Sequence, residues 1–279
     1  MIANLNHPEI QVRLDSLQEL MDQINTGKLE KPTPSGFVNN HIHTTYSFSP
    51  YSPTKALWMA YQAGLTTAGI MDHDSISGAR EFIQAGKIIG MATTIGVECR
   101  ADFSKTPLNG RLINNPDQKS VAYVALHGIP HTQIDKVKEF FAPYSQKRNE
   151  RNQAMVEKIS EIVSPFGIKL DFALDVVPLS QSNEGGSITE RHILYGLSLK
   201  LIEKFGKGEA LVNFLKHDLK LEFGSKLEGF LLDLENPYYA YDLLGVLKGD
   251  FVKAFYIPAT AETPDIADVV ALSKEIGCI

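Results

Sequence analysis

Two of the eight histidines, His41 and His43, stand one residue apart in the stretch NNHIHTTYSFSPYSP. If residues 37–43 form a strand, alternate side chains face the same way about 6.6 Å apart, so both imidazoles can converge on one metal ion. Two histidines that are merely hydrogen-bonded or solvent-facing have the same spacing. The pair alone therefore leaves its chemistry open.

Two further apolar runs end in groups of the same kind. His73, flanked by Asp72 and Asp74, closes one run, and Glu98 follows Gly-Val in the next. Because α/β proteins place active sites at the C-terminal ends of their strands, we expect these groups to meet at one edge. Mixed imidazole and carboxylate ligands suit manganese, zinc or iron, and a carboxylate such as Glu98 can bridge two ions. The pattern predicts a hydrolytic site with two divalent metal ions.

The surrounding sequence alternates short apolar runs with amphipathic helices. Strands are predicted at FVNNHIH, TTAGIMD and ATTIGVECRADF, with helices at Pro53–Ala63 and SGAREFIQAGKIIG between them. This β-α-β-α-β order predicts parallel strands, in an open sheet or in a barrel. A fourth strand is predicted at VAYVALHGIP, after a long polar loop.

The chain divides into four predicted parts. Residues 1–35 form a helix and linker, packed on the main domain rather than acting as a partner-binding arm. Residues 36–131 form the first part of the α/β domain, and residues 132–256 form an inserted helical cap broken by the flexible loop SQSNEGGS. Residues 257–279 return to the α/β domain with a helix and the opening of a strand.

The stretches HIHTTYSFSPYSP, AGLTTAGIMDHDSISGAREFIQAGK and IGVE together resemble the first motifs of the PHP (polymerase and histidinol phosphatase) phosphoesterases. The resemblance implies a distorted (β/α)7 TIM-like barrel with up to three metal ions. It implies metal roles for His41, His43, His73 and Glu98, with Asp72 as the acidic partner beside the ligand histidine. The family also places a ligand histidine on the strand after Glu98. The nearest register puts Tyr123 there, and His127, on the same strand face, is the candidate ligand. A hydrogen-bonded histidine at the barrel mouth is the alternative for His127.

Two helical stretches, SQKRNERNQAMVEKI and ITERHILYGL, are similar to the insertion of small bacterial PHP enzymes that act on nucleoside phosphates and short oligoribonucleotides. This resemblance implies that Arg148 and His192 contact a substrate phosphate or base. The planar guanidinium of Arg148 matches the geometry of phosphate. An ordinary surface position on a charged helix is the alternative for Arg148.

The sequence departs from the family at two places. Where the first motif of the family reads Ser-Asp-Gly, this chain has Ser47-Phe48-Ser49, so an aromatic ring replaces an expected ligand of a third ion. Later ligands of the family would follow Ile279, which implies either a fragment of a longer protein or a variant with an incomplete site. A non-catalytic metal-binding or partner-binding module is therefore an alternative to the phosphoesterase, and an amidohydrolase is a third possibility.

Composition limits the partners. The formal net charge of −6 predicts no strong non-specific binding of nucleic acid, so the expected partner is a small phosphorylated substrate held through metal. The first residues lack the apolar core of a signal peptide, and no apolar run is long enough to span a membrane. Two distant cysteines form no metal-ligand spacing. These features favour a cytoplasmic protein without membrane contact.

Overall fold

The computed structural model describes residues 1–279. The chain forms two compact units. The first unit contains residues 1–147, 181–187 and 260–279, and the second contains residues 148–180 and 188–259. No helix in the structure has both the length and the apolar character needed to cross a bilayer.

Four strands and ten α-helices make up the regular structure, joined by short 3₁₀ and π turns. The strands are β1 Val38–Ile42, β2 Thr67–His73, β3 Ala92–Asp102 and β4 Val121–His127. The helices are α1 Ile10–Asn25, α2 Pro53–Gln62, α3 Ala79–Ile89, α4 Ile134–Val163, α5 Glu190–Phe205, α6 Glu209–Asn213, α7 Ser225–Leu232, α8 Tyr239–Val246, α9 Val252–Phe255 and α10 Ile266–Ile276.

The four strands form one sheet in the order β1-β2-β3-β4. Strands β1, β2 and β3 are parallel, as the β-α-β-α-β pattern predicts. Strand β4 runs antiparallel to β3, which differs from the successive parallel strands of the expected (β/α)7 barrel. The reason lies in the connection: a parallel partner needs a crossover, usually a helix, and residues 103–120 contain none. The seven strands of the predicted barrel are not present among residues 1–279.

Local signals define the helices around the sheet. Ser52 caps α2, where its hydroxyl oxygen accepts a hydrogen bond from the backbone N–H of Lys55 at 3.0 Å, as expected for this residue before Pro53. Asp265 caps α10 in the same manner. The chain then continues to Ile279, which exchanges two backbone hydrogen bonds with His127 of β4. The end of the chain, where the sequence predicts the opening of a further strand, is therefore hydrogen-bonded to β4 at Ile279. The paired segment is too short to be assigned as a strand.

The core of the first unit lies between the sheet and its helices. Helix α1 belongs to this core, because Leu17, Leu20 and Met21 are buried in it. The prediction that the N-terminal helix packs on the main domain is confirmed. The second unit is built from helices, and its core includes Leu197, Leu211, Leu243 and Phe255. Its bounds differ from those of the predicted insertion, because residues 132–147 and 181–187 belong to the first unit.

Candidate metal centre

Three histidines meet one carboxylate oxygen at the C-terminal edge of the sheet. Glu98 Oε2 lies 3.0 Å from His41 Nε2, 3.7 Å from His43 Nε2 and 3.6 Å from His73 Nδ1. The side chain of Glu98 is 16% exposed and that of His41 is 45% exposed. A cluster so placed is reachable from solvent while its carboxylate is largely shielded.

Strand register produces this convergence. His73 and Glu98 are direct partners in the parallel pairing of β2 with β3, so their side chains leave the sheet on the same face. His41 lies near the end of β1, and His43 follows that strand. The rings of His43 and His73 are stacked with centroids 4.5 Å apart. The predicted meeting of the three strand ends is thus observed.

The distances between these atoms fit a metal site. With metal–ligand bonds of about 2.0–2.2 Å, neighbouring ligands in a tetrahedral shell lie about 3.3–3.6 Å apart. The three separations from Glu98 Oε2 lie close to that range. His41, His43 and Glu98 form a group whose ligand atoms all lie within 4.8 Å of one another. His73 stands outside this group yet reaches the same oxygen, as expected if one carboxylate serves two ions.

Asp72 lies elsewhere, in a buried hydrogen-bond network. Its side chain accepts hydrogen bonds from the Thr44 backbone N–H, the Thr44 hydroxyl and the Ser47 hydroxyl, each at 2.6 Å. Burial raises the pKa of Asp72 to about 6, against the opposing effect of these three donors. Because neighbouring residues of a strand face opposite ways, Asp72 and His73 leave β2 on different faces. The structure therefore does not bring Asp72 into the ligand group. Asp72 instead fixes the loop that follows His43, through its hydrogen bonds with Thr44 and Ser47.

Two residues of β4 face the cluster. Tyr123, Ala125 and His127 pair with Arg100, Glu98 and Gly96, and so they share the face of Glu98. The ring centroid of His127 lies 6.4 Å from that of His41, and the ring centroid of Tyr123 lies 6.2 Å from that of His73. Neither belongs to the close three-residue group, so metal binding by His127 stays a prediction.

Arg148 and His192 lie in the second unit. Arg148 is only 3% exposed, so the alternative of an ordinary surface position is wrong. His192 is 2% exposed and forms a capping box at the start of α5, where its Nδ1 accepts a hydrogen bond from the Thr189 backbone N–H at 3.0 Å. Burial lowers the pKa of His192 to about 4. This gives His192 a structural role that the sequence pattern missed, and substrate contact by either residue stays a prediction.

Thr44 and Ser47 are the site-supporting residues that sequence reasoning missed. Both are fully buried and both donate to Asp72. A signal was present, since a hydroxyl residue directly follows His43 and a buried carboxylate directly precedes His73. Only the pairing of β1 with β2, which brings the two loops together, turns these neighbours into a network.

Comparison with known proteins gives one short sequence match and two likenesses of fold. No protein-family model matches the chain. Over 63 residues, 23% of each protein, the chain is 35% identical to the 5'-3' exoribonuclease of Haemophilus influenzae. The match therefore spans less than a quarter of that relative.

Two solved structures share the fold over most of the chain. A "putative metal-dependent phosphoesterase" from Bifidobacterium adolescentis has a TM-score of 0.50 and 18% identity, covering 88% of this chain and 66% of its own. An amidohydrolase from Chromobacterium violaceum, solved with bound sulfate and no metal, has a TM-score of 0.51 and 16% identity, covering 87% of this chain and 64% of its own. The chain thus shares an α/β fold with both neighbours and spans slightly less than two thirds of their length.

Proposed function

We propose that this chain carries the metal centre of a phosphoesterase that hydrolyses a small phosphorylated substrate. The single observation that supports this most is the convergence of three imidazole nitrogens within 3.7 Å of one oxygen of Glu98. Three histidines and a carboxylate are a ligand set for manganese, zinc or iron. Two ions held here would activate water and neutralise charge on a phosphoryl oxygen.

The residues of the chain prepare the site for that chemistry. In this proposal His41 and His43 would hold one ion, His73 would hold a second, and Glu98 would contribute a ligand to each. The half-exposed edge at His41 leaves a path by which a substrate phosphate reaches the centre. Since the whole chain is negatively charged, bound cations are what make an anionic substrate acceptable at this edge.

A nucleotide-like monoester or diester is the substrate class that we propose. Support comes from the resemblance of the helical insertion to enzymes acting on nucleoside phosphates, and from the partial match to an exoribonuclease. Arg148 and His192 are proposed to contact the phosphate or base. His192 would do so as a neutral imidazole, because burial lowers its pKa to about 4.

Amide hydrolysis is a second candidate, because one structural neighbour is named an amidohydrolase. Metal-activated water attacks carbon centres as well as phosphorus, and a likeness of fold does not separate the two chemistries. A non-catalytic metal-binding module is the remaining alternative, favoured by Phe48 at the position where the PHP family has a ligand.

Phosphate release decides between these proposals. The purified chain is loaded with Mn²⁺ and given nucleoside monophosphates, an aryl phosphate and an aryl amide. We expect inorganic phosphate from a phosphate ester, no cleavage of the amide, and loss of at least about 100-fold in rate when His41 and His43 are both replaced by alanine.

The matched control is His131→Ala, which removes an exposed histidine of the same unit outside the cluster. It should leave phosphate release unchanged. Cleavage of the amide alone would favour the second candidate. Release that survives His41→Ala/His43→Ala would show that these histidines do not form the site.

A further inference from the structure

Residues 181–187, which we call the strap, connect two helical segments of the second unit but belong to the first unit. The sequence predicts a flexible loop here, because the segment is rich in serine and glycine. Instead it forms a compact turn, in which the backbone N–H groups of Glu184 and Gly186 donate to the carbonyl oxygen of Gln181 at 3.0 and 2.8 Å. The strap is therefore ordered by its own hydrogen bonds.

The strap contacts the loop that follows β1. Tyr46 donates its hydroxyl hydrogen bond to Glu184 Oε2 at 3.0 Å, and the Ser187 backbone N–H donates to the Tyr46 carbonyl oxygen at 2.8 Å. Tyr46 is 3% exposed and Ser187 is 5% exposed. Two strap residues thus hold a buried tyrosine that lies three positions after His43.

The strap also contacts the loop that follows β2. The Ser75 hydroxyl donates to the Gly185 carbonyl oxygen at 2.7 Å, and Ser75 lies two positions after His73. Gly185 has a φ of +88°, and a Cβ atom added to it would overlap with the Ser77 hydroxyl. Only glycine combines this backbone conformation with such a close approach, so Gly185 fits the strap against the second loop.

These contacts extend the buried network around Asp72. The Thr44 hydroxyl, which donates to Asp72 at 2.6 Å, also accepts from the Tyr46 backbone N–H at 3.3 Å. The two loops are consequently joined twice. Asp72 accepts hydrogen bonds from Thr44 and Ser47, and the strap contacts Tyr46 and Ser75. Strand β1 is largely exposed. The loop contacts therefore help to position its C-terminal end.

We propose that the strap is a positioning element of the metal centre: Glu184, Gly185 and Ser187 hold the loops after β1 and β2 so that His43 and His73 keep their spacing around Glu98. Both ends of the strap continue into the second unit. The insertion therefore supplies a structural part of the site, whatever its helices bind. The effect on metal rests on the proposed function, whereas the effect on the loops does not.

Hydrogen exchange of the full chain without metal tests the positioning directly. Gly185→Ala introduces backbone strain and an overlap with Ser77, so amides in residues 43–48 and 74–78 should exchange at least about fivefold faster. Gly110→Ala is the matched control, because Gly110 has a φ of +79° and open space around its Cβ position. Its exchange in both loops should equal that of the parent.

A second set of variants keeps the test independent of Gly185. The pair Glu184→Ala/Ser75→Ala removes both side-chain hydrogen bonds and should speed exchange in the same two loops. The single variant Glu184→Gln retains an oxygen acceptor for Tyr46. Its exchange in the loop after β1 should therefore stay as slow as in the parent. If neither Gly185→Ala nor the pair speeds exchange in these loops, the strap does not position them and the proposal is wrong.

Titration with Co²⁺, followed by its visible absorption, links the loops to the metal. If the parent binds Co²⁺, Gly185→Ala should weaken binding by about 10-fold or more and alter the spectrum, whereas Gly110→Ala should do neither. Equal affinity and an equal spectrum in Gly185→Ala would overturn the proposed effect on the centre. A parent that fails to bind Co²⁺ would instead contradict the proposed function, and the exchange result would still decide the role of the strap.

Discussion

His192 illustrates how burial changes what a single side chain can do. Desolvation lowers its pKa to about 4, so the imidazole is neutral near pH 7 and carries no charge with which to attract a phosphate. Its Nδ1 accepts from the N-cap residue of α5, which leaves the ring proton on Nε2. The residue therefore stabilises the start of α5 as an uncharged ring.

This lowered pKa predicts how stability depends on pH. Unfolded His192 takes up a proton near pH 6.5, whereas the folded residue does so only near pH 4, so the unfolded state binds more protons between these values. The contribution of His192 to the free energy of unfolding should therefore fall by about 2 kcal/mol from pH 7 to pH 5. Urea unfolding of the parent at the two pH values measures the total change.

The variant His192→Gln isolates this effect. Glutamine at this helix position can still accept the Thr189 N–H but does not titrate. The fall in stability from pH 7 to pH 5 should become about 2 kcal/mol smaller than in the parent. His217→Gln, at an exposed histidine of the same unit, is the matched control for the substitution itself. An equal fall in His192→Gln and the parent would refute the assignment.

The ligand residues could be predicted from sequence because their types and their places at strand ends are local features. The environment of Asp72 could not be derived in the same way. Strand alternation already implies that Asp72 and His73 face opposite ways, but its hydrogen bonds come from Thr44 and Ser47, about 25 residues earlier in the chain. Contacts of that kind depend on strand pairing, which no local pattern defines.

At the level of elements, a buried ion pair attaches the N-terminal helix. Arg13 of α1 donates two hydrogen bonds to Glu81 of α3 at 2.8 and 2.6 Å, and both residues are less than 5% exposed. Glu81 also accepts from the backbone N–H and hydroxyl of Thr54 at the start of α2. One carboxylate therefore ties three helices together.

Removing the arginine should be strongly destabilising, because it leaves the Glu81 carboxylate buried without its cation. We expect Arg13→Ala to lower the free energy of unfolding by about 3–5 kcal/mol, measured by urea denaturation. Arg80→Ala breaks the exposed pair with Asp135 and should cost no more than about 1 kcal/mol. If the two variants lose equal stability, the Arg13–Glu81 pair does not hold α1 in place.

The elements themselves were predictable to different extents. Strands β1 to β3 and their two helices follow from apolar periodicity and from the Ser52 cap, and the structure has each of them. The direction of β4 was not predictable from its own residues, because it depends on a loop that lacks a crossover helix. The strap was predicted to be flexible, since glycine and serine permit many conformations. Its internal turn and its contacts with Tyr46 and Ser75 together select one.

At the scale of the whole molecule, the residues with proposed roles are distributed over two units. The first unit holds His41, His43, His73 and Glu98, together with the Asp72 network and the strap. The second unit is helical and carries Arg148 and His192, the residues proposed to select the substrate. The helical character of the insertion follows from its sequence pattern, whereas the return of residues 181–187 to the first unit depends on tertiary contacts alone.

The position of bound metal tests the central claim most directly. Crystals of the full chain are grown with Zn²⁺, and anomalous scattering at the zinc edge locates the ions. We predict a strong peak about 2.0–2.2 Å from nitrogens of His41 and His43 and from an oxygen of Glu98, with any second peak beside His73. Crystals of His41→Ala/His43→Ala should lose the first peak. Zinc located only away from Glu98, or no zinc at all in the parent, would contradict the account.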